Sequence, residues 1–268
     1  MNRPIALCCL LPSLVLGEAP IARAAADEAP AIGTHAAADH IEALPRTVDL
    51  RPALAELRMQ PRRQGGRGTC SVFTTVAALE FALSRRSGRL EPLSPEYLNW
   101  AANQITGNHA HDRGQFFHNL LKGFEKFGIC SERELPYAER IDPALAPSLE
   151  LQAHARRVLE QGLRVHWIRR WTPEQGLSDE QFDQIKRVLA AGWPVAAGSD
   201  HSRLLVGYAD QPDQPGGGQF ATMDSGSGRF DAVSYEFAKT KIGDAFWVES
   251  SPADEPAQHN DEGNESDD

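Results

Sequence analysis

Between residues 71 and 86 the apolar positions recur at helical spacing. Val72, Val76, Leu79 and Leu83 fall three or four residues apart, with Phe73, Ala77 and Phe81 beside them, and the span holds no Gly or Pro. That pattern predicts a helix of about four turns, ended by Ser87-Gly88. Ser94 opens a second helix as N-cap, with Pro95 at its first position and Tyr97, Leu98 and Ala101 as its apolar stripe. A third is predicted over 114–127, with Phe117, Leu120, Leu121 and Phe124 on one side and Gly128 as C-cap. A loop and a helix are expected over 142–162. The period then changes. Residues 163–168 alternate and read as a strand. A capped start at Ser178-Asp179-Glu180-Gln181 leads into a helix with Phe182, Ile185, Val188 and Leu189, running to Gly192. Strands are predicted at 194–197, 203–208, 219–223 and 245–248, with a Pro/Gly-rich hairpin loop at 211–218. Helices first and antiparallel strands second make the α+β class.

Composition adds bounds. The chain has 268 residues, 41% of them hydrophobic, enough for one substantial domain or two lobes sharing a cleft. Of the formal net charge of −10, seven negative charges lie in the last fifteen residues, which contain no Lys or Arg. The body is therefore near neutral, and nothing points to nucleic acid. Residues 251–268 read as an acidic, disordered tail. At the other end Arg3 precedes an apolar run over 5–17, broken by Pro12 and Ser13, and Ala22-Arg23-Ala24 and Ala24-Ala25-Ala26 offer small-residue cleavage sites. This pattern predicts a signal peptide over 1–26, too short to span a bilayer, and hence a secreted or periplasmic protein. Residues 27–43 read as a linker and 44–250 as the folded domain. Cys8 and Cys9 fall in the leader, so its removal leaves Cys70 and Cys130. Cys130 reads as a buried structural thiol.

The candidate chemistry centres on Gln64-Gly65-Gly66-Arg67-Gly68-Thr69-Cys70. Cys70 falls at the amino-terminal end of the first helix. Unpaired N–H groups and the helix dipole there stabilise a thiolate, which predicts a lowered pKa and a better nucleophile. The glycine-rich loop can fold back and present the Gln64 amide near the sulfur. No Lys-Ser/Thr pair follows Gly68, which argues against a phosphate loop. A cysteine nucleophile needs a base and a group to orient that base. Of nine histidines, His201 is the best placed. It opens a strand whose hairpin partner ends at Asp224, so the two can meet at one end of the sheet. His109 and His111 have no further ligand spacing, and Asn108, Asp112 and Arg113 around them read as a solvated loop. No metal and no cofactor is expected.

Three stretches also resemble the papain-like cysteine peptidases. Pro45-Arg46-Thr47-Val48-Asp49-Leu50-Arg51 followed by Gln64 to Cys70 is similar to the mature amino terminus of that family. Gly128-Ile129 followed by Glu134-Leu135-Pro136-Tyr137, and His201-Ser202-Arg203-Leu204-Leu205-Val206-Gly207-Tyr208, are similar to two later family segments. The resemblance implies a helical lobe carrying Cys70, an antiparallel sheet lobe carrying His201 and Asp224, and a cleft between them. It implies hydrolysis of peptide bonds through a Cys70–His201–Asp224 triad, with Gln64 and the Cys70 N–H as oxyanion hole. The partner is then a peptide or protein substrate, and the chain a monomer with no membrane span. Other readings of the same residues are a non-catalytic peptide-binding module and a transamidase or deamidase. The sequence departs from the family at several points. Arg67 stands where a disulfide cysteine is usual, and Asp224-Ser225-Gly226 where Asn-Ser-Trp is usual. Without the Trp, the bond between His201 and its acceptor is expected to be wetter. The segment before His201 is short, which predicts a lower cleft wall. Residues 27–43 are too few for an inhibitory propeptide.

Overall fold

The computed structural model describes residues 43–250, Arg113 excepted. The leader, nearly all of the linker and the acidic tail lie outside the described residues. In chain order the elements are β1 (Thr47–Asp49), α1 (Arg51–Glu56), α2 (Cys70–Ser87), α3 (Pro95–Thr106), α4 (Phe117–Phe127) and α5 (Leu149–Arg156). A 3-10 turn at Arg157–Gln161 leads to β2 (Leu163–Arg169), α6 (Asp179–Ala190), β3 (Val195–Gly198), β4 (Arg203–Asp210), β5 (Gly218–Asp224), β6 (Arg229–Ser234), α7 (Tyr235–Lys241) and β7 (Asp244–Ser250).

The strands form one antiparallel sheet in the order β2-β7-β3-β4-β5-β6, with β1 added alongside β4. The fold is α+β, as the patterning predicts. β1 crosses β4 at Gly207, where any Cβ would collide with the Val48 carbonyl. This close approach accounts for the glycine inside an otherwise apolar strand.

α2 is buried along nearly its whole length, between α3 and α4 on one side and the sheet on the other. Val72, Val76 and Leu79 are fully buried, and each such side chain stabilises the fold by about 1.5–3 kcal/mol. The helix also buries Glu80, which accepts from Arg62 Nη2 and the Leu93 N–H, both at 2.8 Å. Burial pushes the Glu80 carboxyl up to about 7, against the pull of Arg62. Across the lobes Phe117 on α4 meets Phe246 on β7 edge to face, with centroids 5.0 Å apart.

Local signals placed the helices well. Ser94 caps α3 by accepting from the Tyr97 N–H, Gly128 ends α4 at positive φ, and Ser178 and Gln181 form a reciprocal capping box on α6. α4 starts at Phe117, the first residue of its apolar stripe and three residues later than the predicted span. Gly114 is at φ +87° and Phe116 stays extended, so the first residues form a loop. β6 and α7 escaped the pattern. β6 is an edge strand of mixed polar and apolar residues with none buried, and α7 is only seven residues long. Among the described residues no helix is long and apolar enough to cross a membrane.

Candidate active site

Cys70 is the first residue of α2 and is half-buried. Thr69 before it makes no side-chain cap. The first-turn N–H groups are therefore left for the sulfur or a ligand. The Cys70 thiol lies below its ordinary value. Burial opposes this, but hydrogen bonds from the His201 imidazole and from the Ser202 N–H and hydroxyl outweigh it. The direction follows the sequence reading, while His201 and Ser202 are the agents that fix it.

His201 sits in the bend just before β4, and its backbone is clamped. The Ser199 hydroxyl and Arg203 Nη1 both donate to its carbonyl, at 2.8 and 3.0 Å. Its Nε2 faces both carboxylate oxygens of Asp224 at 3.1 Å, which leaves Nδ1 for Cys70. The hydrogen bond with Cys70 is the largest influence raising the His201 pKa. Burial lowers it, and Asp224 raises it further. One imidazole therefore bridges the sulfur of the helical lobe and a carboxylate of the sheet, the arrangement that favours a thiolate–imidazolium pair.

Asp224 ends β5 and is only 5% exposed. Its Oδ1 accepts from the Gly226 and Ser227 N–H groups at 2.7 and 3.0 Å, and its Oδ2 from Arg203 Nε at 3.0 Å. Burial would raise this carboxyl. The Ser227 N–H, His201 and Arg203 hold it below its ordinary value instead. The expectation of a wetter His–acid bond is therefore wrong on the acceptor side. Gly226 lies against Asp224 Oδ1 and the edge of the imidazole, and its turn supplies the backbone donors.

Gln64 is sewn to the same turn. Its N–H donates to the Ser225 carbonyl at 3.0 Å, and its Oε1 accepts from the Ser225 hydroxyl at 2.8 Å. This fixes the amide so that Nε2 points the other way, donating to the Arg67 carbonyl at 2.8 Å. An amide nitrogen carries two N–H groups, so one is left over from the bond to Arg67.

Tyr137 braces the loop at both ends. Its hydroxyl donates to the Gln64 carbonyl at 2.9 Å and shares a 2.7 Å hydrogen bond with Thr69 Oγ1. Its ring lies under the Arg67 guanidinium and edge-on to Phe73. Arg67 is itself buried and pairs with both Glu96 and Asp112. This corrects the reading of 108–113 as a wholly solvated loop. His109 and His111 are exposed, but Asp112 turns inward to Arg67. Cys70 and Cys130 are both free thiols, and burial pushes Cys130 up to about 12.

Four further residues at the site were given no role by the sequence reading: Ser202, Arg203, Ser225 and Asp244. The first two adjoin His201, and Ser225 adjoins Asp224. Asp244 begins β7 and lines a cleft of about 350 Å³ that opens beside Cys70. Among the described residues no group of three or more His, Cys, Asp or Glu is arranged to hold a metal ion.

The sequence matches no protein-family model and no curated protein. The fold does have solved counterparts. It is similar to xylellain, a cysteine protease from Xylella fastidiosa, with TM-score 0.59 and 20% identity over 78% of this chain and 87% of that one. It is similar to digestive procathepsin L 3 of the Tenebrio molitor larval midgut, with TM-score 0.54 and 18% identity over 78% of this chain and 71% of that one. It is also similar to the proform of the Amb a 11 cysteine protease, a ragweed pollen allergen, with TM-score 0.58 and 19% identity over 80% of this chain and 69% of that one. At these identities the likeness establishes a papain-like fold.

Proposed function

We propose that the protein is an exported cysteine peptidase in which Cys70, His201 and Asp224 act as one unit. The observation that carries this reading is the single His201 imidazole held between Cys70 and a buried carboxylate. The Cys70 thiolate attacks a peptide carbonyl, and the carbonyl electron pair moves to oxygen. That oxyanion takes hydrogen bonds from the second Gln64 Nε2 N–H and from the Cys70 N–H at the start of α2. The His201 imidazolium gives its proton to the leaving amine as the C–N bond breaks, leaving a thioester. His201, now neutral, takes a proton from water. The resulting attack breaks the C–S bond and restores the thiolate. Asp224 holds the ring in place and stabilises its charged form.

The test is alkylation of Cys70 by iodoacetamide across pH, with Cys70→Ala and His201→Ala controls, followed by a peptide screen. Fast labelling that persists well below pH 7 and is lost in His201→Ala supports the pair. Labelling that rises only near the ordinary thiol pKa of about 8.5 would reject it. Incorporation of amines or loss of glutamine amide without backbone cleavage would instead identify a transamidase or deamidase.

A further inference from the structure

The cleft beside Cys70 has a charged floor that the chemistry at Cys70 does not use. Asp244 is 5% exposed, yet no hydrogen bond reaches its carboxylate from any described residue. Buried carboxylates are normally paired or hydrogen-bonded. Its neighbour across the β3–β7 pairing is Gly198, and any Cβ there would collide with Asp244 Oδ1. The carboxylate therefore occupies the space that a side chain at 198 would fill, on the cleft side of the sheet.

The surrounding charges do not neutralise it. Arg169 lowers its pKa through space, but that guanidinium donates to the Gly243 and Glu174 carbonyls and to Thr172 Oγ1, holding the 172–174 loop. Lys241 and Asp200 line the cleft with opposite charges, and no ion pair joins either of them to Asp244. Burial raises the Asp244 carboxyl to about 6, so it is ionised at neutral pH. Among its polar lining residues the cleft also carries two exposed aromatic rings. Phe116 and Trp171 are both nearly half exposed, and their ring centroids are 4.9 Å apart. Two exposed rings in one cleft with an unpaired carboxylate match a side chain with an aliphatic stem and a cationic end.

Resting on the peptidase reading of Cys70, we propose that Asp244 selects substrates carrying an arginine or lysine side chain, which enters this cleft and pairs with the carboxylate. A neutral side chain entering the cleft would leave Asp244 buried and unpaired, which penalises it.

Two experiments on the whole chain decide this. In the first, kcat/KM is measured for matched peptides bearing Arg, Lys or Leu, with wild type and Asp244→Asn. The expected preference for Arg or Lys is about 10- to 100-fold, the range of a hydrogen bond to a charged group, and it collapses in Asp244→Asn. Cleavage that favours Leu equally in both proteins would overturn the assignment and leave the peptidase reading intact. In the second, acetylated Arg and Leu peptide amides are titrated into Cys70→Ala protein by calorimetry, where no turnover is needed. If no peptide is cleaved in the first experiment, the peptidase reading fails and this measurement decides alone. Tighter binding of the Arg peptide by tenfold or more, lost when Asp244→Asn is added, supports the proposal. Equal affinities overturn it.

Discussion

The unpaired carboxylate at the cleft floor has a consequence for stability that needs no substrate. Asp244 has its pKa raised by burial from 3.8 to about 6, with Arg169 pulling weakly the other way. Between those two values the native protein holds a proton that the unfolded chain has lost. Native stability therefore falls as pH rises through this window, and the full cost is present above it. A displacement of that size costs about 3 kcal/mol once the group is ionised. Asn is isosteric and keeps the fit against Gly198, so Asp244→Asn should remove most of this cost. At pH 7.5 the variant should be more stable by about 2–3 kcal/mol, with a midpoint higher by roughly 4–12 °C for a domain of this size. Near pH 4 the two proteins should converge. Denaturant unfolding at several pH values, read as the difference between the two proteins, cancels the other carboxylates and isolates this one. A difference that is absent at pH 7.5, or equally large at both pH values, would refute the reasoning. A stabilising substitution that costs substrate preference is the pattern expected of a functional group.

Other expectations follow from the network around Cys70. Asp224→Asn removes the charge that favours imidazolium, so the alkaline limb of the pH–rate profile for peptide cleavage should move to lower pH; an unmoved limb would count against the role of Asp224. Arg203 pairs with that same carboxylate, so Arg203→Gln should move the limb the other way, by up to about one pH unit. Arg67→Met leaves Glu96 and Asp112 buried without their cation, and denaturant titration should show a loss of about 3–5 kcal/mol. Tyr137→Phe removes the hydrogen bonds to Gln64 and Thr69. It should cost about 1–3 kcal/mol and slow peptide cleavage more than Cys70 alkylation, because the oxyanion donor loosens while the thiolate pair stays.

The sequence disclosed what is encoded locally. α2, α3 and α6 are each written as an apolar period plus a cap within a few residues, and all three caps are present. Cys70, His201 and Asp224 could be named together because a hairpin register links the last two and the start of a helix marks the first. Long-range partners were not legible. Arg67 read as a departure from a cysteine pattern, since nothing near it shows that Glu96 and Asp112, 29 and 45 residues away, turn toward it. Asp244 looked like any polar residue at a strand start. Only the pairing of β3 with β7 places it opposite Gly198 and at the floor of the cleft. Arg203 has an ordinary strand position, and its importance appears only when Asp224 is seen to have a second cation.

The stretches that first stood out along the chain prove to be one contact in space. The Gln64–Cys70 loop must hold an amide donor and a sulfur in fixed relation without a disulfide. Three anchors do this from different directions: the Tyr137 hydroxyl at both ends of the loop, the Ser225 turn on the Gln64 amide, and the Glu96–Arg67–Asp112 cluster at its middle. A disulfide acts mainly by restricting the unfolded chain. An ion cluster acts only in the native state, and withdrawing one member strands a buried charge. Partial opening of the loop is therefore expensive, and the loop should be either closed or detached as a unit. On the proposed peptidase reading this is the property required of Gln64, because a preorganised oxyanion donor loses nothing to reorganisation when charge develops on the substrate. The segment around Pro136-Tyr137 lies far from Cys70 in sequence yet serves the same site. Tyr137 supplies the hydroxyl and the ring, and the Ala138 carbonyl accepts from Arg67.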